Sequence, residues 1–229
     1  MRASNLAFIA LAGCANAIAD APSGSDVSTR FEHDMIVRFH MHENFGLVRT
    51  IEHLLVRNKL AEAKELARGI AEAPDEPGTA PWAKETARVR ERAQAITVAS
   101  TREGAVRAVT ELGDACASCH RASGTLPDLG APPPAPKDER TLSSTMARHR
   151  WATDRIWEGT IGMSDESWKL GVKMLAETAP PSSELGGERA PYAKALQRVA
   201  ASARDAKPDD RARRYAEILN ACASCHALP

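Results

Sequence analysis

Two five-residue segments contain cysteine and histidine at a spacing that suits the covalent binding of haem. Both read Cys-Ala-Ser-Cys-His, at residues 116–120 and 222–226. On a helix, the second cysteine and the histidine follow the first cysteine at i+3 and i+4, so the three side chains share one face. C-x-x-C-H is the attachment sequence of c-type haem, in which the thiols become thioethers and the imidazole binds the iron. The motifs therefore predict two covalent haems, with thioethers from Cys116, Cys119, Cys222 and Cys225 and iron ligands from His120 and His226.

Two other uses of these cysteines are weaker but open. The two pairs together could form one four-cysteine zinc site, although they lie much further apart than the ligands of ordinary zinc modules. Each pair could instead be a redox-active dithiol, which is typical of a βαβ unit. Neither use needs a histidine directly after the second cysteine, whereas both copies have one. The repeated pattern thus favours haem attachment.

The charge pattern limits the classes of partner. The chain has 30 basic and 30 acidic residues, and neither sign forms a long block. Nucleic-acid binding and membrane binding through a polybasic patch both need an excess of basic charge. We therefore expect neither, and predict no nucleic-acid partner.

The N-terminal segment resembles a bacterial export signal. Arg2 precedes an apolar run at residues 6–11, and small residues follow it. A basic start, a short apolar core and small residues are typical of a signal that is removed. The segment 11–14, Leu-Ala-Gly-Cys, resembles a lipobox, so we interpret residues 1–20 as a lipoprotein-type export signal with lipidation at Cys14. Ordinary signal cleavage is the alternative; either route predicts a periplasmic protein, and the first adds a lipid anchor to the membrane.

The rest of the chain is an internal repeat of two similar units. Ala-Pro-Trp-Ala-Lys at 80–84 precedes the first motif much as Ala-Pro-Tyr-Ala-Lys at 190–194 precedes the second. The units span about residues 30–125 and 138–229, each a normal small-domain size. The segment 126–137 between them is rich in proline, which predicts a semi-rigid spacer between two separately folding units.

Apolar spacing inside each unit is helical throughout, and it predicts an all-α protein. Val109, Leu112, Cys116 and Cys119 recur at steps of three and four, and the second unit shows the same pattern. Ser100 with Glu103 indicates a capping box at a helix start. We predict two tandem four-helix bundles, each ending in a haem motif, with helices at 34–57, 60–73, 81–97, 101–119, 141–161, 165–178, 190–204 and 208–223.

A four-helix bundle with C-x-x-C-H at the end of its last helix resembles the class II cytochromes c, the cytochrome c′ group. The common class I cytochromes place the motif near the N-terminus and take a methionine ligand from far downstream. Only three residues follow His226 here, so the second unit does not fit class I.

The resemblance and the bundle geometry together suggest what lies on the other face of each haem. The end of the fourth helix lies beside the start of the first helix and the start of the third. Met41 precedes Cys116 by 75 residues and Met146 precedes Cys222 by 76, which makes them the favoured sixth iron ligands, as in the low-spin class II members. His42 and His149 are the alternative ligands. Trp82 and Tyr192, at the start of each third helix, are expected to pack on the haems.

Two haems on separate helical units suit the transfer of single electrons between other redox proteins. A five-coordinate haem that binds NO or CO, as in the high-spin cytochrome c′ members, is the second hypothesis. A dihaem peroxidase is the third hypothesis. It ranks last because such enzymes resemble tandem class I cytochromes, whose motifs lie early in each unit, and this chain lacks that layout. No set of catalytic side chains stands out, so we expect an electron carrier and not an enzyme.

Overall fold

A computed structural model describes residues 24–74, 79–127 and 129–228, with side chains from residue 35 onward. The described residues form helices and no strand, which confirms the predicted all-α class. Within these ranges the nine α-helices are α1 (Gly24–Val56), α2 (Leu60–Ala71), α3 (Ala83–Val98), α4 (Arg102–Ser123), α5 (Leu142–Ile161), α6 (Asp165–Glu177), α7 (Ser182–Leu185), α8 (Ala190–Ser202) and α9 (Pro208–His226). A 3-10 turn at Ala80–Trp82 leads into α3. No helix among the described residues is long and apolar enough to cross a membrane.

The eight predicted helices are all present, with three differences. Helix α1 begins ten residues before its predicted start, and α4 and α9 continue through the whole haem motif. The short α7 was not predicted. The predicted cap at Ser100 is wrong by one residue: Thr101 has the extended backbone that a cap needs, and its hydroxyl accepts a hydrogen bond from the Gly104 amide at 3.1 Å.

Each half of the chain packs its own helices in order. In the first half, α1 contacts α2, α2 contacts α3, α3 contacts α4, and α4 returns to α1. In the second half, α5, α6, α8 and α9 make the same series of contacts. The short connections between successive helices make neighbours antiparallel, so the last helix of each half lies beside the first.

The two halves also pack directly against each other through their first and last helices. Helix α9 contacts α1 and α4, and α4 contacts α5. Their apolar side chains belong to a single core that includes Ile51 and Val109 from the first half and Ile156 and Ile218 from the second. The halves therefore share buried surface, which the proline-rich segment by itself did not predict.

The proline-rich segment lies against α5 and does not hold the halves apart. Trp151 donates its indole N–H to the Pro133 carbonyl at 2.9 Å. Arg148 donates to the Pro136 carbonyl at 3.1 Å. A chain without amide hydrogens at its prolines still has carbonyl acceptors, and the first turns of α5 use them.

Helices α4 and α9 run antiparallel, which sets the positions of the two motifs. At one end, the Arg102 guanidinium donates to the Ala223 carbonyl at 3.3 Å, so the start of α4 lies beside the end of α9. Further along, Trp157 of α5 lies over Gly113 of α4 and its ring centroid is 6.3 Å from that of Tyr215 in α9. Cys116 lies 14 residues beyond Arg102, which is about 21 Å of helix. The two motifs therefore lie towards opposite ends of the molecule.

Candidate haem sites

The C-x-x-C-H residues are fully helical in both copies, which places each set of three on one face as the spacing predicted. We call residues 116–120 of α4 the first site and residues 222–226 of α9 the second site. Cys116 and Cys222 are half-buried and pack against the common core. Burial raises the pKa of both thiols to about 12. Burial also raises the pKa of Cys119 and of Cys225. Among the described residues, no disulfide joins these four cysteines.

The second site opens into a cavity of about 360 Å³ between α5, α7, α8 and α9. Cys225 and His226 line it from α9, Met146 and His149 from α5, and Tyr192 from α8. These five residues come from three separate helices, and the sequence analysis selected all of them. The cavity volume is within the usual range for a small-molecule site. Arg189, Glu184 and apolar side chains complete the lining, with Leu142, Leu185, Leu196 and Leu228 among the apolar ones.

Burial favours the neutral, metal-binding form of the two imidazoles at the second site. Burial, followed by the positive charges of Arg57 and Arg189, lowers the pKa of His226. Burial lowers the pKa of His149, against a hydrogen bond to the Thr178 carbonyl that favours the charged form. That bond, 3.2 Å long, is donated by Nε2, which leaves the His149 Nδ1 lone pair free. A neutral imidazole is a common metal ligand.

At the first site, a backbone carbonyl orients the histidine. His120 Nδ1 lies 2.9 Å from the Thr125 carbonyl oxygen, which can only accept, so Nδ1 carries the proton. The lone pair is then on Nε2, as required for a metal ligand whose other nitrogen is held by the protein. Gly124, with φ of 68°, ends α4 in the left-handed conformation and turns the chain so that Thr125 reaches back. The sequence analysis missed Thr125, although a glycine just after the motif is a signal for such a turn.

The other predicted residues of the first site are placed less closely. Trp82 is half-buried in the 3-10 turn that contacts α3 and α4, so it lies near the motif helix as expected. Glu85, in the first turn of α3, is a further cause of the raised Cys119 pKa, after burial. Met41 is 39% exposed and His42 is exposed, both on α1. Met146 and His149 are less exposed than these equivalents.

Sequence reasoning missed part of the second site, the segment around α7. Pro180, Glu184, Leu185 and Arg189 line the cavity from this segment. Proline and glycine in this segment indicated only a loop. The lining role follows from its position over the end of α9, which Arg189 secures by donating to the Leu228 carbonyl at 3.0 Å.

The residues present fit a covalently held haem at the second site. The cavity is mainly apolar, carries one motif thiol and ends on two neutral imidazoles and a thioether, which matches the donors that bind haem iron. A single zinc site built from all four cysteines does not fit, because the two pairs lie about 20 Å apart along the antiparallel helices. Among the described residues, no group of three or more acidic, histidine or cysteine side chains could hold another metal ion.

Comparisons of the chain with models of protein families, with characterised proteins and with solved structures give no match. The likeness to class II cytochromes c therefore depends on the motif position and on the order of the helices. The predicted export signal at 1–20 and Cys14 lie outside the described residues.

Proposed function

We propose that this protein is a dihaem c-type cytochrome that carries single electrons between other redox proteins. Each half is a four-helix unit of the class II type, with thioethers from Cys116 and Cys119 or from Cys222 and Cys225. The observation that carries the proposal is the second cavity, where Met146, His149 and Tyr192 meet Cys225 and His226. The sequence alone predicts each of these residues as part of a haem site.

A bound haem supplies a one-electron iron couple. The motif cysteines would hold the haem covalently. The motif histidine and a methionine side chain would bind its iron. The His120 tautomer, set by Thr125, presents Nε2 to the iron position. We propose Met41 and Met146 as sixth ligands, with His42 and His149 as the alternatives; a methionine ligand raises the reduction potential.

Gas binding is the second candidate function, and one observation favours it at the first site. Met41 is exposed on α1, whereas its equivalent Met146 lines a cavity. A first haem without a sixth protein ligand would leave a coordination position for NO or CO. The dihaem peroxidase remains third, because its tandem class I layout differs from the motif positions here.

We also propose that the protein is exported to the periplasm and anchored through lipid on Cys14. Covalent haem attachment takes place outside the cytoplasm, so export and the motifs agree. The anchor would hold the electron carrier at a membrane surface, where its partners would be other redox proteins. Partition of the wild type with membranes, and its loss in Cys14→Ala, is the expected result.

Mass spectrometry of the purified protein tests the haem assignment directly. We expect a denatured chain that keeps its haem colour and a mass that includes two haems. The Cys222→Ala/Cys225→Ala variant should lose one haem and the Cys116→Ala/Cys119→Ala variant the other. A wild-type chain without covalent haem would refute the proposed function.

A further inference from the structure

The repeat allows each residue near one site to be compared with its counterpart near the other. Met41 and Met146 are 105 residues apart, and the same step relates α1 to α5. Along this step, His53 corresponds to Glu158, Arg57 to Gly162, and Arg150 to Phe45. Positions that are basic in one half are therefore acidic, neutral or apolar in the other.

The packing of the helices brings the basic positions to the second site. The Arg49 guanidinium donates to the Tyr215 hydroxyl at 2.9 Å, which sets α1 beside α9. Because α4 is antiparallel to both, α1 and α9 run in the same direction. Arg57 lies two helical turns beyond Arg49, about 12 Å towards the end of α9 that carries the second motif.

Helix α5 brings the second arginine to the same end. Arg49 also donates to the Thr153 hydroxyl at 3.2 Å and to the Asp154 carboxylate at 2.5 Å. Helix α5 runs opposite to α1, so Arg150 lies one turn from these contacts on the side of the second site. His149, the next residue, lines the cavity itself. Arg57 and Arg150 therefore flank the end of α9.

Both arginines are exposed, and within the described part of the chain neither forms an ion pair. Arg189 adds a third positive charge, because it lines the cavity and holds the Leu228 carbonyl. The positive charges of Arg57 and Arg150 act on His53, whose pKa is lowered first by burial and then by these two arginines. Glu184 also lines the cavity, but its carboxylate accepts a hydrogen bond from the Leu142 amide at the start of α5, 2.7 Å away.

The counterparts of the two arginines in the other half are not basic. Gly162, the counterpart of Arg57, lies under the segment that follows α4, where a Cβ would be 3.3 Å from Leu129 and 3.8 Å from Pro127. Phe45, the counterpart of Arg150, is apolar. Asp114, near the first pair of thiols, forms an ion pair with Arg88 at 3.2 Å. The pair formed by Arg57 and Arg150 is therefore specific to the second site.

We propose that Arg57 and Arg150, with Arg189 beside them, form the docking surface for an acidic redox partner protein at the second site. The inference rests on the proposed function, because the surface surrounds a candidate haem. Arg57 and Arg150 are exposed and form no ion pair among the described residues. They therefore attract an acidic surface within a Debye length, and they raise the rate of encounter more than the strength of the final complex. The first site, which lacks this group of cations, would exchange electrons with a different partner.

Binding of a fluorescently labelled deca-glutamate peptide, followed by anisotropy at low salt, tests the surface. The Arg57→Glu/Arg150→Glu variant should bind the peptide about tenfold more weakly than the wild type, and 1 M salt should remove the difference. The matched control is Arg68→Glu/Lys169→Glu, which changes the net charge equally at exposed positions on α2 and α6. The control should stay within about twofold of the wild type. Equal losses in both variants, or no loss in either, would overturn the proposal.

Electron exchange gives a second measurement on the haem-loaded protein. Oxidation by anionic hexacyanoferrate(III) should slow about tenfold in Arg57→Glu/Arg150→Glu at low salt, whereas a neutral quinone should react at an unchanged rate. An unchanged hexacyanoferrate rate would reject the docking surface and leave the proposed cytochrome function intact. A chain without haem would reject that function, and the peptide measurement would still decide on the surface.

Discussion

A carboxyl group lies inside the interface between the two halves. Glu52 is 2% exposed; its Oε2 accepts hydrogen bonds from Arg49 and from the Tyr215 hydroxyl, the latter at 3.2 Å. Oε1 is buried and has no hydrogen-bond partner among the described residues. Burial raises the pKa of Glu52 to about 7, and Arg49, which also serves Asp154, only partly opposes this. A carboxyl group so placed titrates near neutral pH.

Stability should therefore fall as the pH rises towards neutrality. The folded pKa of Glu52 is above the unfolded value of 4.5, so its protonated form favours the folded state. This contribution is complete below pH 4.5 and is lost as the pH rises through about 7, a change of about 3 kcal/mol. Glu52→Gln keeps a neutral side chain of the same shape, so urea midpoints at pH 5 and pH 8 should differ less than in the wild type. Glu62→Gln, on the exposed face of α2, should keep the wild-type difference.

The two candidate sixth ligands, Met146 and His149, lead to different predictions for the second haem. If Met146 is the sixth ligand, Met146→Ala should convert one haem to high spin, open it to carbon monoxide and lower its potential, because the thioether favours reduced iron. Absorption spectra with and without carbon monoxide measure this, and a far-red methionine–iron band should weaken. His149→Ala is the control and should leave that band unchanged. The opposite pattern would make His149 the ligand.

Glycines set how closely the helices approach. Gly159 of α5 faces the backbone of α6, where an added Cβ would lie 2.5 Å from the Trp168 amide nitrogen. Gly171 of α6 faces the backbone of α5, where an added Cβ would lie 2.5 Å from the Ala152 carbonyl oxygen. Gly113 of α4 does the same between the halves, since its Cβ would lie 2.5 Å from the fully buried Trp157 ring. The absence of a side chain at these positions allows large aromatic side chains to fill the core.

Gly113→Ala should therefore destabilise the protein although alanine favours helices. The added methyl group would displace Trp157 at the centre of the interface, at a cost of about 1–3 kcal/mol. Gly46→Ala is a matched control on exposed α1, where nothing lies within 4 Å of the new Cβ. The control should gain about 0.5–1 kcal/mol from helix propensity. Urea unfolding measures both, and changes of the same sign would contradict this account of the interface.

At the scale of the whole molecule, the two halves are one folded body with two distant sites. A common core joins α1, α4, α5 and α9. Arg49 of α1 also joins α5 and α9, because it donates hydrogen bonds to Asp154 and to Tyr215. The antiparallel α4 and α9 carry the motifs to opposite ends. Two haems bound at these sites would lie far apart, and each could meet a different partner.

The shared core predicts that both halves unfold together. In Cys222→Ala/Cys225→Ala, the remaining haem reports on the first half, while Trp151, Trp157 and Trp168 make tryptophan fluorescence report mainly on the second. Haem absorbance and fluorescence should change at the same urea concentration. The wild type gives the reference midpoint. Two separate midpoints in the variant would show that the halves fold independently, as the proline-rich segment alone suggested.

The sequence by itself was sufficient for the helices, and it selected five residues that the structure brings together around the second cavity. Apolar steps of three and four predicted eight helices. The repeat and the expected bundle geometry then predicted Met146, His149 and Tyr192 as neighbours of Cys225 and His226. These features depend on residues close in the chain, or on comparing one unit with its copy, and both are visible in one dimension.

Only the tertiary structure decided how the halves meet, what closes the second cavity and how charge is distributed around the sites. Residues far apart in sequence meet at three places: where Trp157 lies over Gly113, where Arg49 donates to Asp154 and Tyr215, and where Arg57 lies beside the second motif. No periodicity encodes such pairings, because each depends on the rotation and register of whole helices. The energy that selects them comes from burying apolar surface at the interface, and this becomes defined only when the helices pack.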